Sequence, residues 1–142
     1  MIAIGSDHAG FEYKEALKEH LKNEGYLVED EGCFSTESCD YPIFAKKVAN
    51  EVASGKAEYG VLICGTGIGM SMCANKIKGI RAAVVGDEFS AAATREHNDA
   101  NIICMGARVI DLEKATKFLD IFLSTSFSNG ENHVRRIGLL ED

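Results

Sequence analysis

The sequence predicts an α/β protein, a Rossmann-like three-layer αβα sandwich on a five-stranded parallel sheet. Two observations carry that expectation. Apolar strand-like runs alternate with amphipathic helical ones along the whole chain, as in a parallel sheet with crossover helices on both faces. At the centre, Val61-Leu62-Ile63 suits a strand buried on both faces, and it runs straight into a glycine-rich turn that opens a helix.

In order, Ile2 to Gly5 is the first strand, and Ser6-Asp7-His8-Ala9-Gly10 is the loop after it. Phe11 to Asn23 reads as a helix with Phe11, Leu17 and Leu21 on its apolar side and Gly25 as a stop. Tyr26 to Glu29 is the second strand, and a polar loop follows from Glu31 to Asp40. Tyr41-Pro42 begins the next helix, where proline is tolerated in the first turn, and it runs to Ser54-Gly55. Val61 to Ile63 is the third strand, and the helix after it spans about Ile68 to Lys76. Ile80 to Val85, the helix Glu88 to His97, and Ile102 to Met105 complete the sheet. Asp111 caps a helix that reaches Leu123, and a last helix spans roughly Asn132 to Leu140.

A length of 142 residues with 46% hydrophobic content fits one domain over 1–142, without repeats or low-complexity linkers. The net charge of −7 and the lack of a Lys/Arg cluster argue against a nucleic-acid surface. No apolar stretch is long enough for a bilayer, and the start lacks a signal-peptide pattern, so no membrane partner is expected. The five cysteines (33, 39, 64, 73 and 104) are odd in number and contain no C-x-x-C pair. That points to reduced thiols in a cytoplasmic protein, with neither a disulfide framework nor a metal site.

Cys64-Gly65-Thr66-Gly67-Ile68-Gly69 fits no familiar glycine motif. Its G-x-G-x-G spacing is not the dinucleotide fingerprint, and Met70-Ser71 stands where a P-loop has Lys-Ser/Thr. An isolated Cys-Gly would read as a tight turn with a packing thiol. Three glycines, a threonine and a thiol on one loop favour a small oxygen-rich ligand at a helix N-terminus, where a thiolate is also favoured.

Ligands of such folds bind beyond the carboxyl ends of the strands. That rule gathers Asp7-His8, Cys64 to Gly69, Gly86-Asp87 and Gly106 to Arg108 along one edge. Each polar candidate also has a plainer reading. Asp7 can be a helix cap and His8 a surface imidazole. His97 can complement a helix C-terminal dipole, and Arg108 can be a surface ion pair. On the terminal helix His133 and Arg136 share a face and Arg135 does not.

Taken together, Gly5-Ser6-Asp7-His8-Ala9-Gly10-Phe11, Asp40-Tyr41-Pro42, Cys64 to Gly69, Ala74-Asn75-Lys76, Gly79-Ile80-Arg81-Ala82, Arg95 to Asp99, Gly106-Ala107-Arg108-Val109 and His133 to Arg136 resemble the ribose-5-phosphate isomerase B family. The resemblance spans nearly the whole chain in order. It implies an aldose–ketose isomerase for a sugar phosphate, with ribose 5-phosphate and ribulose 5-phosphate as the pair and no cofactor or metal. Cys64 stands at the family's catalytic thiol base; where some members carry a glutamate after the loop, this chain has Met70. The same resemblance implies Thr66 and the loop residues Gly65, Gly67, Ile68 and Gly69 for the enediolate, and His97 for ring opening. Asp7 and Asn98 would orient hydroxyls, and Tyr41 would flank the site. His8, Arg108, Arg136 and His133 match the phosphate set.

It further implies a homodimer or dimer of dimers with a composite active site, the helix at about 131–141 packing on a partner subunit. One position departs from the pattern: Asn132 stands where many members have arginine. An isomerase of a six-carbon sugar phosphate, allose 6-phosphate or galactose 6-phosphate, is the nearest rival, and a non-catalytic nucleotide-binding module a more distant one. A thiol phosphatase would need Cys-x5-Arg, and Met70 occupies that arginine's place.

Overall fold

A computed structural model describes residues 1–142 and contains every expected strand and helix. They are β1 (Ile2–Ser6), α1 (Phe11–Asn23), β2 (Val28–Asp30), α2 (Tyr41–Ala53), β3 (Tyr59–Cys64), α3 (Ile68–Ala74), β4 (Ala82–Val84), α4 (Glu88–Glu96), β5 (Ile102–Gly106), α5 (Leu112–Ser124) and α6 (Glu131–Glu141). All five strands are parallel, in the order β2-β1-β3-β5-β4. The order reverses at β1 and β3, which pair from Ile2 with Tyr59 to Ser6 with Ile63. Asp7 and Cys64 therefore leave the sheet side by side at the switch point, where folds of this kind bind ligands.

Strand alternation builds two cores. Ile2, Ile4, Val61, Ile63, Ile103 and Met105 face Leu17 and Leu21 of α1, Ala91 of α4, and Phe118, Leu119 and Phe122 of α5. The alternate positions Ala3, Leu62, Cys64, Ile102 and Cys104 face Val48 and Val52 of α2 and Met70 and Ala74 of α3. This is the expected three-layer sandwich. Register also fixes the direction of Cys64, since a one-residue slip would send its thiol to the other core.

Two strand edges are shorter than expected. β2 starts at Val28, because Leu27 is 77% exposed and contributes only its carbonyl, to the Ile2 N–H. β4 starts at Ala82, because the Arg81 N–H donates to the Asn101 side chain. On α1 the apolar face includes a lysine. Phe11 is only half-buried, whereas Lys14 is fully buried, held by Asp30 at 2.7 Å beneath the Phe11 and Phe34 rings. No residue of α6 is buried, and Val134, Leu139 and Leu140 are exposed. No helix is long and apolar enough to cross a membrane.

Candidate active site

Cys64 is the last residue of β3, and its thiol, 5% exposed, accepts the Gly67 N–H at 3.1 Å. That bond needs the chain to reverse within three residues. Gly67 does so at φ +80°, with Met105 backbone about 3.0 Å from where a Cβ would stand, so any side chain is excluded twice over. Thr66 is exposed, and its hydroxyl accepts the Ile68 N–H at 3.2 Å. Two of the loop's N–H groups, on Gly67 and Ile68, are thus already engaged inside the loop, one of them on the sulfur. Gly69 lies under the Tyr41 ring, which would be 2.7 Å from an added Cβ, so Tyr41 walls the loop where α2 begins.

Beside this loop, β1 delivers Asp7 and His8. The Asp7 N–H donates to the Ile63 carbonyl at 3.2 Å, and its carboxylate accepts the Gly10 N–H at 3.1 Å. Asp7 is buried and ties the turn that leads into α1, while lying beside the end of β3. His8 Nδ1 accepts the Cys39 N–H at 3.2 Å, which places the ring proton of the neutral imidazole on Nε2. From β5, the Arg108 N–H donates to the Gly65 carbonyl at 3.0 Å, and its guanidinium lies along Gly65 without any ion-pair partner. A thiol, an imidazole N–H, an arginine and a hydroxyl therefore share the edge with the glycine loop. Such an edge can bind an oxyanion and move a proton.

Five other predicted residues are elsewhere. His97 is the C-cap of α4, and α4 runs back to the opposite edge of the sheet. At ~3.3 Å per residue, β5 alone separates the edges by about 13 Å. There His97 stacks on His133 with centroids 4.5 Å apart and planes at 15°. With Asn98, Arg136, Ile137 and Leu140 the two imidazoles line a cleft of about 370 Å³. Asn132 is exposed outside that lining, and its carbonyl accepts from Arg135 at 3.1 Å.

Cys39 had no expected role beyond being one of five reduced thiols. Its contact with His8 spans 31 residues, and no local signal announces it. Burial pushes the Cys39 thiol's pKa up, and the neighbouring Cys33 adds to this. Cys104, next to Leu62 on β5, is fully buried and driven up further by burial, which leaves it an inert packing thiol. Away from this edge, one cluster joins three potential ligand side chains that are distant from the predicted site. His20, Glu24 and Asp120 place their ligand atoms within 4.8 Å of one another, with His20 Nε2 2.8 Å from Asp120. This knot clips α1 to α5 and borders the largest concavity, about 810 Å³, which contains none of the predicted site residues.

The ribose/galactose isomerase family model matches residues 2–140. The Escherichia coli K12 protein named ribose-5-phosphate isomerase B is 44% identical over 134 residues, 94% of this chain and 90% of that protein. The Clostridium thermocellum ribose-5-phosphate isomerase B structure superposes with a TM-score of 0.97 at 46% identity, covering 99% and 94% of the two chains. A Mycoplasma genitalium ribose-5-phosphate isomerase B solved with bound ribulose 5-phosphate gives 0.94 at 41% identity, covering 99% and 93%. By sequence along its length and by fold, this chain belongs to the ribose/galactose isomerase family.

Proposed function

We propose that the protein is an aldose–ketose isomerase that interconverts ribose 5-phosphate and ribulose 5-phosphate through an enediolate, with Cys64 as the base. The observation that carries this reading is the Gly67 N–H on the Cys64 sulfur at 3.1 Å, because that donor stabilises a thiolate within the ligand-binding edge. Family membership and the ribulose 5-phosphate held by the Mycoplasma relative support the substrate class.

The open-chain aldose presents its C1 carbonyl and C2 hydrogen to the loop. The Cys64 thiolate takes the C2 proton, the C–H electrons form the C1–C2 double bond, and the C1 oxygen becomes the enediolate. Thr66 and free N–H groups of Gly65 to Gly69 stabilise that charge as it develops. Return of the proton to C1, with transfer of the C2 hydroxyl proton to the C1 oxygen, gives the ketose. His8 through Nε2–H and Arg108 through its unpaired fork bind phosphate. Asp7 orients a hydroxyl and Tyr41 closes the side.

His97, Asn98, His133 and Arg136 enter from a second copy in this reading. Their separation from Cys64 by the depth of the sheet supports a homodimer or dimer of dimers, in which α6 packs on the partner subunit. Its lack of any buried residue and its exposed Val134, Leu139 and Leu140 favour the same arrangement. His97 of the partner subunit then opens the furanose ring, and Arg136 of the partner subunit adds the second guanidinium to the phosphate. The rival is a six-carbon sugar phosphate, favoured by Asn132, which offers no cation. Turnover of ribose 5-phosphate, allose 6-phosphate and galactose 6-phosphate, measured on one purified sample, decides between them. A preference for either hexose phosphate, or nucleotide binding with no turnover at all, would overturn the proposal.

A further inference from the structure

The proposed chemistry leaves two motifs without a role, Ala74-Asn75-Lys76 and Gly79-Ile80-Arg81-Ala82, and in the fold they meet. Asn75, the C-cap of α3, pairs its side-chain amide with the Ala82 backbone, accepting the N–H at 2.8 Å and donating to the carbonyl at 2.9 Å. The Arg81 N–H donates to the Asn101 side chain at 2.8 Å, and the Arg81 carbonyl accepts the Asn101 N–H at 2.9 Å. The backbone of Arg81 is therefore fixed on both sides, and its side chain leaves from a rigid base.

The guanidinium reaches two segments at once. Nε donates to the Asn98 carbonyl at 3.0 Å, and Nη2 to the Asp99 carbonyl at 2.8 Å. Nη1 donates to the carboxylate of Glu141, the last residue of α6, at 2.9 Å. One arm thus grips the turn that carries His97 and Asn98, and the other grips the helix that carries His133 and Arg136. That turn needs support, because Asp99 reverses the chain at φ +47°, where a glycine would sit without strain. The Asp99 carboxylate is held in turn by Arg95 Nη1 at 2.7 Å, and Arg95 is itself buried and bonded to the Ala100 carbonyl and the Tyr59 hydroxyl. The helix needs support too. α6 buries no residue, so its seat depends on contacts such as the Arg81–Glu141 pair and the His97–His133 stack.

We propose that Arg81 is a positioning residue for the sugar-phosphate site: its guanidinium sets the spacing between the His97–Asn98 turn and α6, and so the shape of the cleft between them. Arg81 does not line that cleft, so it acts through Asn98, Asp99 and Glu141 and not on the substrate. An arginine suits the task because its donors lie in one rigid plane and meet two carbonyls and a carboxylate together. A lysine ammonium is a point charge on a flexible stem and cannot span both segments. The kinetic consequence rests on the isomerase reading; the seating of α6 does not.

The test reads the cleft twice, without substrate and with it, on the whole protein. The imidazole NMR signals of His97 and His133 report their stack, since each ring lies in the other's ring current. Arg81→Lys and Glu141→Gln should each move both signals toward those of an unstacked imidazole. Glu141→Gln cuts only the α6 arm, at a partly exposed ion pair, so its melting temperature should hold. KM for ribose 5-phosphate should rise about threefold in Glu141→Gln, the scale of a surface ion pair, and about tenfold in Arg81→Lys, where one charge-assisted grip is lost. A merely structural role would lower kcat by leaving less folded enzyme and would leave KM alone. Unmoved imidazole signals in both variants, or an unchanged KM beside a kcat that follows the folded fraction, would overturn the proposal while the isomerase reading stands. If the signals move but the wild type turns over no sugar phosphate, the isomerase reading fails and the seating of α6 by Arg81 stands.

Discussion

His97 and His133 lie ring on ring, 4.5 Å between centroids and 15° between planes, at the sheet edge away from Cys64. The stack pins α6 against the end of α4 and gathers Asn98 and Arg136 around it. In the proposed reading this imidazole pair, with its arginine and amide, is a half-site for the sugar phosphate, and the Cys64 edge of a second copy supplies the base.

A direct expectation concerns two inactive variants. Cys64→Ser and His97→Ala should each lose turnover alone. Co-expressed in equal amounts, they should recover about a quarter of wild-type activity, because half of randomly paired dimers are mixed and each mixed dimer keeps one intact site. Isolated mixed dimers that remain inactive would show that each chain completes its own site.

Cys64→Ser should keep the fold, since volume and the Gly67 contact hardly change. A serine hydroxyl is a far weaker acid than a thiol and supplies almost no anion to act as base, so kcat should fall by about a hundredfold or more while KM holds. Iodoacetamide should inactivate the wild type, with substrate protecting the fragment that contains Cys64. Near-normal turnover by Cys64→Ser would place the base elsewhere.

Arg108 and Arg136 should act on KM more than on kcat, because a guanidinium meets phosphate oxygens in pairs and neither has an ion-pair partner within the chain. Arg108→Lys and Arg136→Ala are expected to raise KM about tenfold or more. Asn132→Arg frees Arg135 from its 3.1 Å contact and adds a cation, so ribose 5-phosphate binding should hold or tighten. Loss of turnover in Asn132→Arg would instead make Asn132 a substrate contact and favour a larger sugar.

Lys14 and Asp30 form the pair whose loss should cost most in stability. Lys14→Ala leaves the largely buried Asp30 with only Lys18 opposite and should destabilise by about 3 kcal/mol or more. Burial raises the Asp30 pKa, but Lys14, the Gly32 N–H and Lys18 outweigh it, and the folded value lies below the ordinary one. Asp30 therefore contributes stability that is complete above its unfolded pKa of ~3.9 and is lost as pH falls through the lower folded value. Thermal melts from neutral to acid pH should show this loss, and Asp30→Asn should remove that part of the acid limb. An unchanged acid limb in Asp30→Asn would refute the assignment.

The sequence by itself determined what depends on near neighbours. The 2-residue and 3.6-residue periodicities placed the strands and helices, and the misses are one or two residues at element ends, such as Tyr26-Leu27 before β2 and Ile80-Arg81 before β4. The glycine spacing after Cys64 announced a loop that folds back on the thiol, because only Gly67 can take φ +80° there. The family motifs named the residues that the proposed reading assigns to its two half-sites. Tertiary structure alone decided their grouping. Strand order 2-1-3-5-4 sets Asp7, His8, Cys64 and Arg108 on one edge, and the return of α4 leaves His97 on the other. The same holds for the Cys39 N–H on His8, for Lys14 buried on an otherwise apolar helix face, and for the His20, Glu24 and Asp120 knot. Each joins residues 16 to 100 positions apart. Such contacts are set by which strands pair and which helix faces meet, and local periodicity carries no record of either.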